Sequence, residues 1–195
     1  ACGKGRHALY LASKGYKVTG TDLSPNSISS AQEEAKSKDL SAKFYVHDMR
    51  MPTNEQASLV LNLFTSIGYF EDKNDNLKAI QAFYDSTVKG GHVVIDFLHA
   101  SRVKEGLITD EVVTKGGINF VLNRTFKSGW IQKYITFIHN GVSYGFKERV
   151  AALDLEDFKQ MFEKVGFSVQ NIFGDYNLNP FETETSERLI LIARK

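Results

Sequence analysis

The start of the chain places two glycines directly before a helical pattern. Gly3 and Gly5 precede apolar spacing that predicts a helix over Arg6–Lys14, and the next strand, Tyr16–Thr21, ends at Asp22. Gly-x-Gly before a helix, with an acid about 20 residues further on, is typical of a site that holds an adenosine-containing cofactor at the carboxyl edge of an open α/β sheet. This pattern indicates that the first part of the chain folds as parallel strands joined by helices.

Helix and strand patterns alternate through residue 97. Ser24-Pro25 supplies a hydroxyl cap and a proline at the first helical position, which predicts a second helix. Strands are expected over Ala42–Val46, Ser58–Leu63 and His92–Phe97, with a helix over Asp75–Val88. This order predicts an α/β fold with a doubly wound, mostly parallel, Rossmann-like sheet.

The pattern then changes to strands alone. Three stretches, Val112–Phe126, Trp130–His139 and Val142–Val150, are separated by Ser128-Gly129 and Asn140-Gly141. Asn-Gly between two alternating runs is a strong hairpin signal. The sequence therefore predicts an inserted three-stranded antiparallel meander.

The end of the chain returns to helix and strand patterns. Asp154 is expected to cap a helix that stops at Gly166, and the strands Ser168–Gly174 and Glu187–Arg194 follow. The segment between these strands is too short for a crossover helix, so we predict an antiparallel terminal hairpin at one edge of the sheet.

Two units are therefore expected. Residues 1–99 and 151–195 would form the cofactor-binding domain, and residues 100–150 an inserted meander that serves as a substrate lid or dimer element. A glycine loop of this kind turns out of a strand, yet no apolar strand precedes Gly3. We therefore expect the N-terminal strand and other upstream residues to lie outside this chain.

Composition excludes several function classes. Net charge is +1 with 24% charged residues well mixed in sign, so nothing favours a nucleic-acid partner. No apolar run approaches the ~18 residues of a membrane span. The single cysteine, Cys2, fits a reducing compartment, and we expect a cytoplasmic protein. The histidines show no ligand spacing, so no metal is expected.

Carboxylates follow the first two predicted strands. Asp22 is suited to accept hydrogen bonds from both ribose hydroxyls, each contributing about 1.5–3 kcal/mol. Asp48 can accept from the exocyclic amine of adenine while Met49 covers the ring. We expect both acids to face one cleft, and an acid turned away or paired with a neighbouring arginine would overturn this assignment.

The glycine spacing leaves the type of cofactor open. Gly3 to Ala8 also fits Gly-x-Gly-x-x-Ala, the dinucleotide fingerprint. The chain has no room for a separate catalytic domain, Asp48 suits an adenine-reading role, and a terminal hairpin is foreign to dinucleotide-binding halves. An NAD(P)-dependent oxidoreductase and a non-catalytic cofactor-binding relative remain the alternatives.

The chain resembles class I S-adenosylmethionine-dependent methyltransferases over nearly its whole length. Ala1–His7 matches the first motif of that family, Thr19–Ser24 the second and His47–Arg50 the third. Asn62–Phe70 is similar to the segment after the fourth strand in a small-molecule branch that includes amino-sugar N-methyltransferases. That branch also carries a β-meander after its fifth strand. One departure is Ala1, where the family usually has an acid.

The resemblance implies S-adenosylmethionine as cofactor and in-line transfer of its methyl group to N or O of a small molecule. Gly3 and Gly5 would flank the methionine part, and Leu63 and Phe64 would close over it. The full set of implied cofactor-binding residues is Gly3, Gly5, Asp22, Leu23, Asp48, Met49, Leu63 and Phe64.

An amine acceptor must lose a proton, which makes a nearby base useful. Tyr69, in a loop after one strand, and His99, just past the end of another, are the catalytic candidates. Tyr69, Trp130 and Arg149 are the candidates for substrate contact. Aromatic residues that alternate along the meander also suggest a homodimer formed across a two-fold axis.

Overall fold

The computed structural model describes residues 1–195 and bears out the early alternation of helices and strands. Ser27 N donates to Ser24 Oγ at 3.2 Å, so the predicted helix cap is confirmed. The elements of the first half are α1 (Arg6–Ser13), β1 (Val18–Asp22), α2 (Pro25–Ser37), β2 (Ala42–Val46), β3 (Ala57–Asn62), α3 (Asn74–Ser86) and β4 (Thr87–Leu98).

The second half contains the meander, one longer helix and the terminal hairpin. Asp154 and Asp157 form a reciprocal capping box that starts this helix, as the sequence indicates. The elements are α4 (Ala100–Glu105), β5 (Asp110–Lys115), β6 (Ile118–Lys127), β7 (Trp130–His139), β8 (Val142–Ala151), α5 (Leu155–Val165), β9 (Ser168–Phe173) and β10 (Arg188–Arg194).

The strands form three sheets. Their orders are β1-β2, β3-β4-β10-β9 and β5-β6-β7-β8. The pairs β1–β2 and β3–β4 are parallel, whereas β10 pairs antiparallel with both β4 and β9. The α/β class and the terminal hairpin are thus confirmed. The prediction of one mostly parallel sheet holds only in part: the pairs β1–β2 and β3–β4 are parallel but lie in separate sheets, and β10 adds antiparallel ladders with β4 and β9.

The meander has four strands and not the predicted three. Residues 112–126 are not one strand, because a turn at Gly116-Gly117 divides them between β5 and β6. Both glycines have positive φ, 57° and 75°, which fits a tight two-residue hairpin turn. The other two turns, at Ser128-Gly129 and Asn140-Gly141, also have positive φ at both positions.

One helix boundary also differs from the prediction. α3 ends at Ser86, and β4 starts at once with the buried Thr87, whose hydroxyl donates to Phe83 O at 2.7 Å. Gly90-Gly91, expected to follow the helix, lies inside β4 beside an irregularity in the β3–β4 register. The helix α4 has only 6 residues and was not predicted.

Two apolar clusters hold the elements together. The smaller one packs α1 and α2 against β2 around Phe44. The larger one has 18 buried residues, among them Phe97 and Phe158, and it includes Trp130 and Val150 from the root of the meander. The root is therefore part of the main core, while the outer part of the meander is exposed. None of the helices is long and apolar enough to cross a membrane.

The strand directions place several loops at one edge. β9 and β4 run the same way because both are antiparallel to β10, and β3 is parallel to β4. The carboxyl ends of these strands, Asn62, Leu98 and Phe173, therefore share an edge. In open α/β folds this is the edge at which ligands bind.

Candidate cofactor and acceptor site

The glycine loop is a tight turn against β1. Cys2 N donates to Thr21 O at 2.7 Å, and Gly5 N donates to Cys2 O at 3.0 Å. Gly5, the N-cap of α1, has φ 80°, and a Cβ there would lie 2.9 Å from the Phe44 ring. Gly3 has φ 55°, and a Cβ there would meet nothing within 4 Å. The loop therefore packs on one side and leaves open space at Gly3.

Asp22 lies beside this loop with acceptor capacity to spare. Its carboxylate accepts from Gly3 N at 2.7 Å and from Ser24 N at 2.9 Å, one bond to each oxygen. An ionised carboxylate offers about four acceptor positions, so about two remain for a ligand. Leu23, next in the chain, exposes 58% of its surface. Both features fit the predicted ribose and adenine contacts.

Asp48 is not free in this way. Arg50 donates to it through its backbone N at 2.9 Å, through Nε at 3.0 and 3.1 Å, and through a terminal nitrogen at 2.6 Å. Arg50 also bonds Asp75 at 2.6 Å and lies over the Phe70 ring. These hydrogen bonds hold the pKa of Asp48 below its usual value. The expectation of an unpaired Asp48 is therefore wrong.

A buried acceptor lies near Met49 at the end of β3. Asn62 is 4% exposed, and its amide nitrogen contacts Met49 Sδ at 3.7 Å. Its side-chain oxygen is buried and has no hydrogen-bond partner within the protein. Buried polar atoms are normally paired, so this oxygen is a position that a donor group of a bound ligand would satisfy. The free acceptor atoms at this edge, on Asp22 and Asn62, thus fit the hydroxyl and amine donors of an adenosine cofactor.

The turn after β3 carries Leu63 and Phe64. Phe64 and Thr65 both have left-handed backbone, φ 58° and 57°, which is uncommon for residues other than glycine. Phe64 N donates to the carboxylate of the buried Asp96 at 2.9 Å. The Phe64 ring is 5.3 Å from that of His7, at the start of α1. The turn therefore faces the glycine loop, as the predicted closure over the methionine part requires.

A polar cavity of about 270 Å³ lies between the loop after β3 and the meander. It brings together all three predicted substrate residues, Tyr69, Trp130 and Arg149. The Arg149 guanidinium stacks 3.7 Å from the centroid of the Trp130 ring, and its Nε is buried without a partner. The remaining lining residues are Glu71, Lys147 and Glu148.

The two candidate bases are placed differently. Burial, followed by the charge of Glu148, raises the pKa of the Tyr69 hydroxyl in the cavity, so it stays protonated near neutral pH. His99 is 5% exposed, and its Nδ1 pairs with Ser186 O at 2.7 Å. His99 does not line the cavity. Within residues 1–195, no group of three or more His, Cys, Asp or Glu side chains is arranged to hold a metal ion.

Asp96 and Arg50 are among the residues of the site that were not found from the sequence. Asp96 is remote in the chain from the turn it supports, so no local pattern marks it. Arg50 follows Asp48 at a spacing of two, and Asp-x-Arg is a signal that would have suggested the ion pair.

Two sequence matches show which known proteins resemble the chain. Residues 1–91 match the sequence profile of a family described as "Methyltransferase domain". The chain is also 24% identical over 204 residues to a putative methyltransferase of Geobacillus sp. (strain WCH70), covering 100% of this chain and 82% of that protein.

Solved structures match the fold. An S-adenosylmethionine-dependent methyltransferase from Clostridium acetobutylicum aligns with a TM-score of 0.90 at 20% identity, over 100% of this chain and 81% of that one. The sugar N-methyltransferase KedS8 from a Streptoalloteichus species aligns with a TM-score of 0.77 at 18% identity, over 100% and 77%.

Residues 1–91 carry a methyltransferase domain, and the proteins similar to the whole chain include S-adenosylmethionine-dependent methyltransferases. The predictions of an enzyme of this class and of its cofactor are confirmed, and these matches do not support the NAD(P)-dependent alternative. The paired Asp48 did not overturn the assignment, so the prediction that such a pair would do so is wrong. The reason is that the glycine loop, Asp22 and the fold support the family without it.

Proposed function

We propose that this enzyme methylates a nitrogen or oxygen atom of a small polar molecule. The observation that carries the proposal is the pairing of two sites at one edge of the fold. Asp22 and the glycine loop offer a cofactor site with free acceptor positions. The cavity at Tyr69 and Trp130 offers a polar site for an acceptor, reached by the loop that begins at the end of β3.

The residues divide between the two ligands. We assign the cofactor to Gly3, Gly5, Asp22, Leu23, Met49, Leu63 and Phe64, with Asp48 available only if Arg50 moves. When bound, S-adenosylmethionine supplies a methyl group that its sulfonium already activates. Alignment of the acceptor is then the main task left to the protein, and alignment alone can supply effective molarities of about 10⁵ M or more.

Tyr69 is the proposed contact to the acceptor atom. Because its hydroxyl stays protonated near neutral pH, it is poorly suited to remove a proton. Its oxygen can instead accept a hydrogen bond from an acceptor N–H and so orient the nitrogen lone pair. Trp130 and Arg149 would provide a flat wall for the rest of the molecule. The position of His99 outside the cavity makes it the weaker of the two catalytic candidates.

The lining of the cavity indicates a polar acceptor. The cavity contains two carboxylates, Glu71 and Glu148, and two cations, Lys147 and Arg149, near the aromatic walls. Charges of both signs suit a hydroxyl-rich molecule that carries an amine, and they do not exclude an anionic group. The likeness to a sugar N-methyltransferase makes amino sugars the first acceptors to test.

The primary test is calorimetry with S-adenosylhomocysteine and, separately, NADH. We expect binding of the first and not of the second. A turnover assay with a panel of amino sugars, other amines and phenols follows, with release of S-adenosylhomocysteine as the readout. Tyr69→Phe should lower turnover about ten-fold and leave S-adenosylhomocysteine affinity within two-fold. Tyr16→Phe, at an exposed tyrosine, is the matched control.

The result also separates the alternatives. NADH binding without S-adenosylhomocysteine binding would contradict the proposal. Cofactor binding without turnover on any acceptor would favour the non-catalytic reading.

We further propose that the meander, within residues 100–150, mediates a homodimer. Phe137 packs with Phe120 at 4.8 Å and with Tyr144 at 5.1 Å on one face, and Phe146 on the same face is 56% exposed. Two ion pairs, Arg124–Glu111 and Lys133–Glu148, flank this cluster. The surface therefore carries charges of both signs and would not repel a second copy. Sedimentation velocity should show a dimer that Phe146→Glu converts to a monomer, and a monomeric wild type would contradict this.

We also propose that the protein works in the cytoplasm on a diffusible substrate and not on nucleic acid. The single cysteine, Cys2, is free, and the net charge is +1.

A further inference from the structure

Four side chains from four parts of the chain form a continuous stack. The Phe64 and Tyr176 rings stack with centroids 6.1 Å apart and planes at 24°. The Arg6 guanidinium lies 4.8 Å from the Phe64 centroid, and the Arg188 guanidinium lies 5.7 Å from the Tyr176 centroid. The stack links the start of α1, the turn after β3, the segment between β9 and β10, and the first residue of β10.

A buried carboxylate accepts hydrogen bonds from three members of this stack. Asp96 is 3% exposed, and its Oδ2 accepts from Phe64 N at 2.9 Å and from the Tyr176 hydroxyl at 3.2 Å. Its Oδ1 accepts from Arg188 at 2.8 and 2.6 Å. One side chain therefore fixes the backbone below one ring and the hydroxyl of the other.

The same contacts hold the left-handed turn. Thr65 N donates to Asp96 O at 2.9 Å, while Thr65 Oγ1 accepts from Leu98 N at 2.9 Å and from Arg188 at 3.3 Å. Two successive residues with positive φ persist only where the surroundings fix them, and such turns concentrate at ligand sites.

The exposed face of the stack identifies its place in the site. Phe64 is 55% and Tyr176 is 58% exposed, so both rings keep an open surface. Phe64 meets Arg6 and His7, the first residues after the glycine loop, whereas the adenine-side acid Asp48 follows a different strand. The stack therefore stands at the glycine-loop end of the cofactor site.

We propose that Tyr176 is a positioning residue for the methyl donor. Its ring supports Phe64 and its hydroxyl holds Asp96, so that the turn after β3 is fixed over the amino-acid part of the cofactor. The inference deepens the proposed function and rests on it, because it takes Phe64 to close over that part of S-adenosylmethionine.

The test compares two ligands that differ only in that part. S-adenosylhomocysteine carries the amino acid, whereas 5′-methylthioadenosine keeps the adenosine and the thioether and lacks it. By calorimetry, Tyr176→Leu should weaken S-adenosylhomocysteine about ten-fold and leave 5′-methylthioadenosine within two-fold. Tyr176→Phe keeps the ring and loses only the hydroxyl, so it should weaken the first ligand about three-fold.

Tyr16→Leu, at a tyrosine 64% exposed and outside the stack, is the matched control and should change neither affinity. Equal losses for both ligands in a Tyr176 variant would mean a general structural role and overturn the proposal, as would unchanged S-adenosylhomocysteine affinity. If Tyr176→Leu does not fold, Tyr176→Phe decides. If the wild type binds neither ligand, the proposed function fails and this inference fails with it.

Discussion

Asp22 and Asp48 occupy equivalent places and have different surroundings. Asp22 ends β1, and Asp48 follows the end of the parallel partner strand β2. Two backbone N–H groups hold Asp22 and no cation contacts it. Asp48 is bonded by three donors of Arg50. The strand pattern thus determines where a carboxylate stands, while residues outside the pattern determine whether it can bind a ligand.

The difference has an energetic consequence. A ligand hydroxyl can bond Asp22 without breaking an existing contact. A ligand amine that bonds Asp48 must displace donors of a charge-assisted pair, which are stronger than neutral hydrogen bonds. Most of the affinity from these two acids should therefore come from the ribose side.

The largest expected effect is at Asp22. Asp22→Ala removes the free acceptor positions and the bond that holds Gly3, so S-adenosylhomocysteine affinity should fall roughly ten-fold or more in calorimetry. Asp48→Ala, its counterpart, should cost about three-fold or less. Equal losses of affinity in the two variants would show that the ion pair with Arg50 does not prevent Asp48 from binding the cofactor.

An intermediate effect is expected at Arg50. Arg50→Gln frees Asp48, and S-adenosylhomocysteine should then bind about three-fold more tightly. Lys78→Gln is the matched control, because Lys78 also pairs with Asp75 but does not touch Asp48. In the Arg50→Gln background, Asp48→Ala should lower S-adenosylhomocysteine affinity by more than the same change does in wild type. A loss of affinity in Arg50→Gln would instead mean that Arg50 itself supports cofactor binding.

The smallest expected effect is on the pH dependence of thermal stability. Hydrogen bonds from Arg50 lower the pKa of Asp48, and those from Lys78 and then Arg50 lower the pKa of Asp75. A carboxylate with a lowered folded pKa stabilises the fold above its unfolded value, about 3.9, and this contribution is lost as pH falls through the folded pKa.

Wild type should therefore have a higher Tm than Arg50→Gln near pH 7, by about 2 °C or less because Arg50 is partly exposed. The difference in Tm should narrow below about pH 4. Thermal melts from pH 3 to 7 measure this gap. A gap that stays constant across the range would contradict the assignment of the pKa shift to Arg50.

Local signals in the sequence were sufficient for much of the fold. Ser24-Pro25, Asp154 and Asn140-Gly141 each act over a few residues, and the helices and the hairpin they predict are present. The turn at Gly116-Gly117 was missed because apolar and β-branched residues on both sides were read as one strand. Gly-Gly between two such runs is itself a hairpin signal.

Contacts between distant residues could not be read in the same way. Asp96 meets Arg188 and Tyr176 only because β4 lies beside β10 in the folded sheet. The proposed cofactor residues were predicted from motifs that are short in sequence. The cavity residues Tyr69, Trp130 and Arg149 were named from loop and strand positions, and their association depends on how the meander docks.

The docking of the meander has a consequence for how such enzymes diversify. Ala151 N donates to Gly68 O at 2.7 Å, so the last strand of the meander is bonded to the residue before Tyr69. Any change of tilt in that sheet would carry Tyr69 with it and reshape the cavity that we propose for the acceptor, whereas the glycine loop and Asp22 make no part of that cavity. If the two proposed sites are correct, acceptor preference can evolve through meander substitutions with the methyl-donor site left intact.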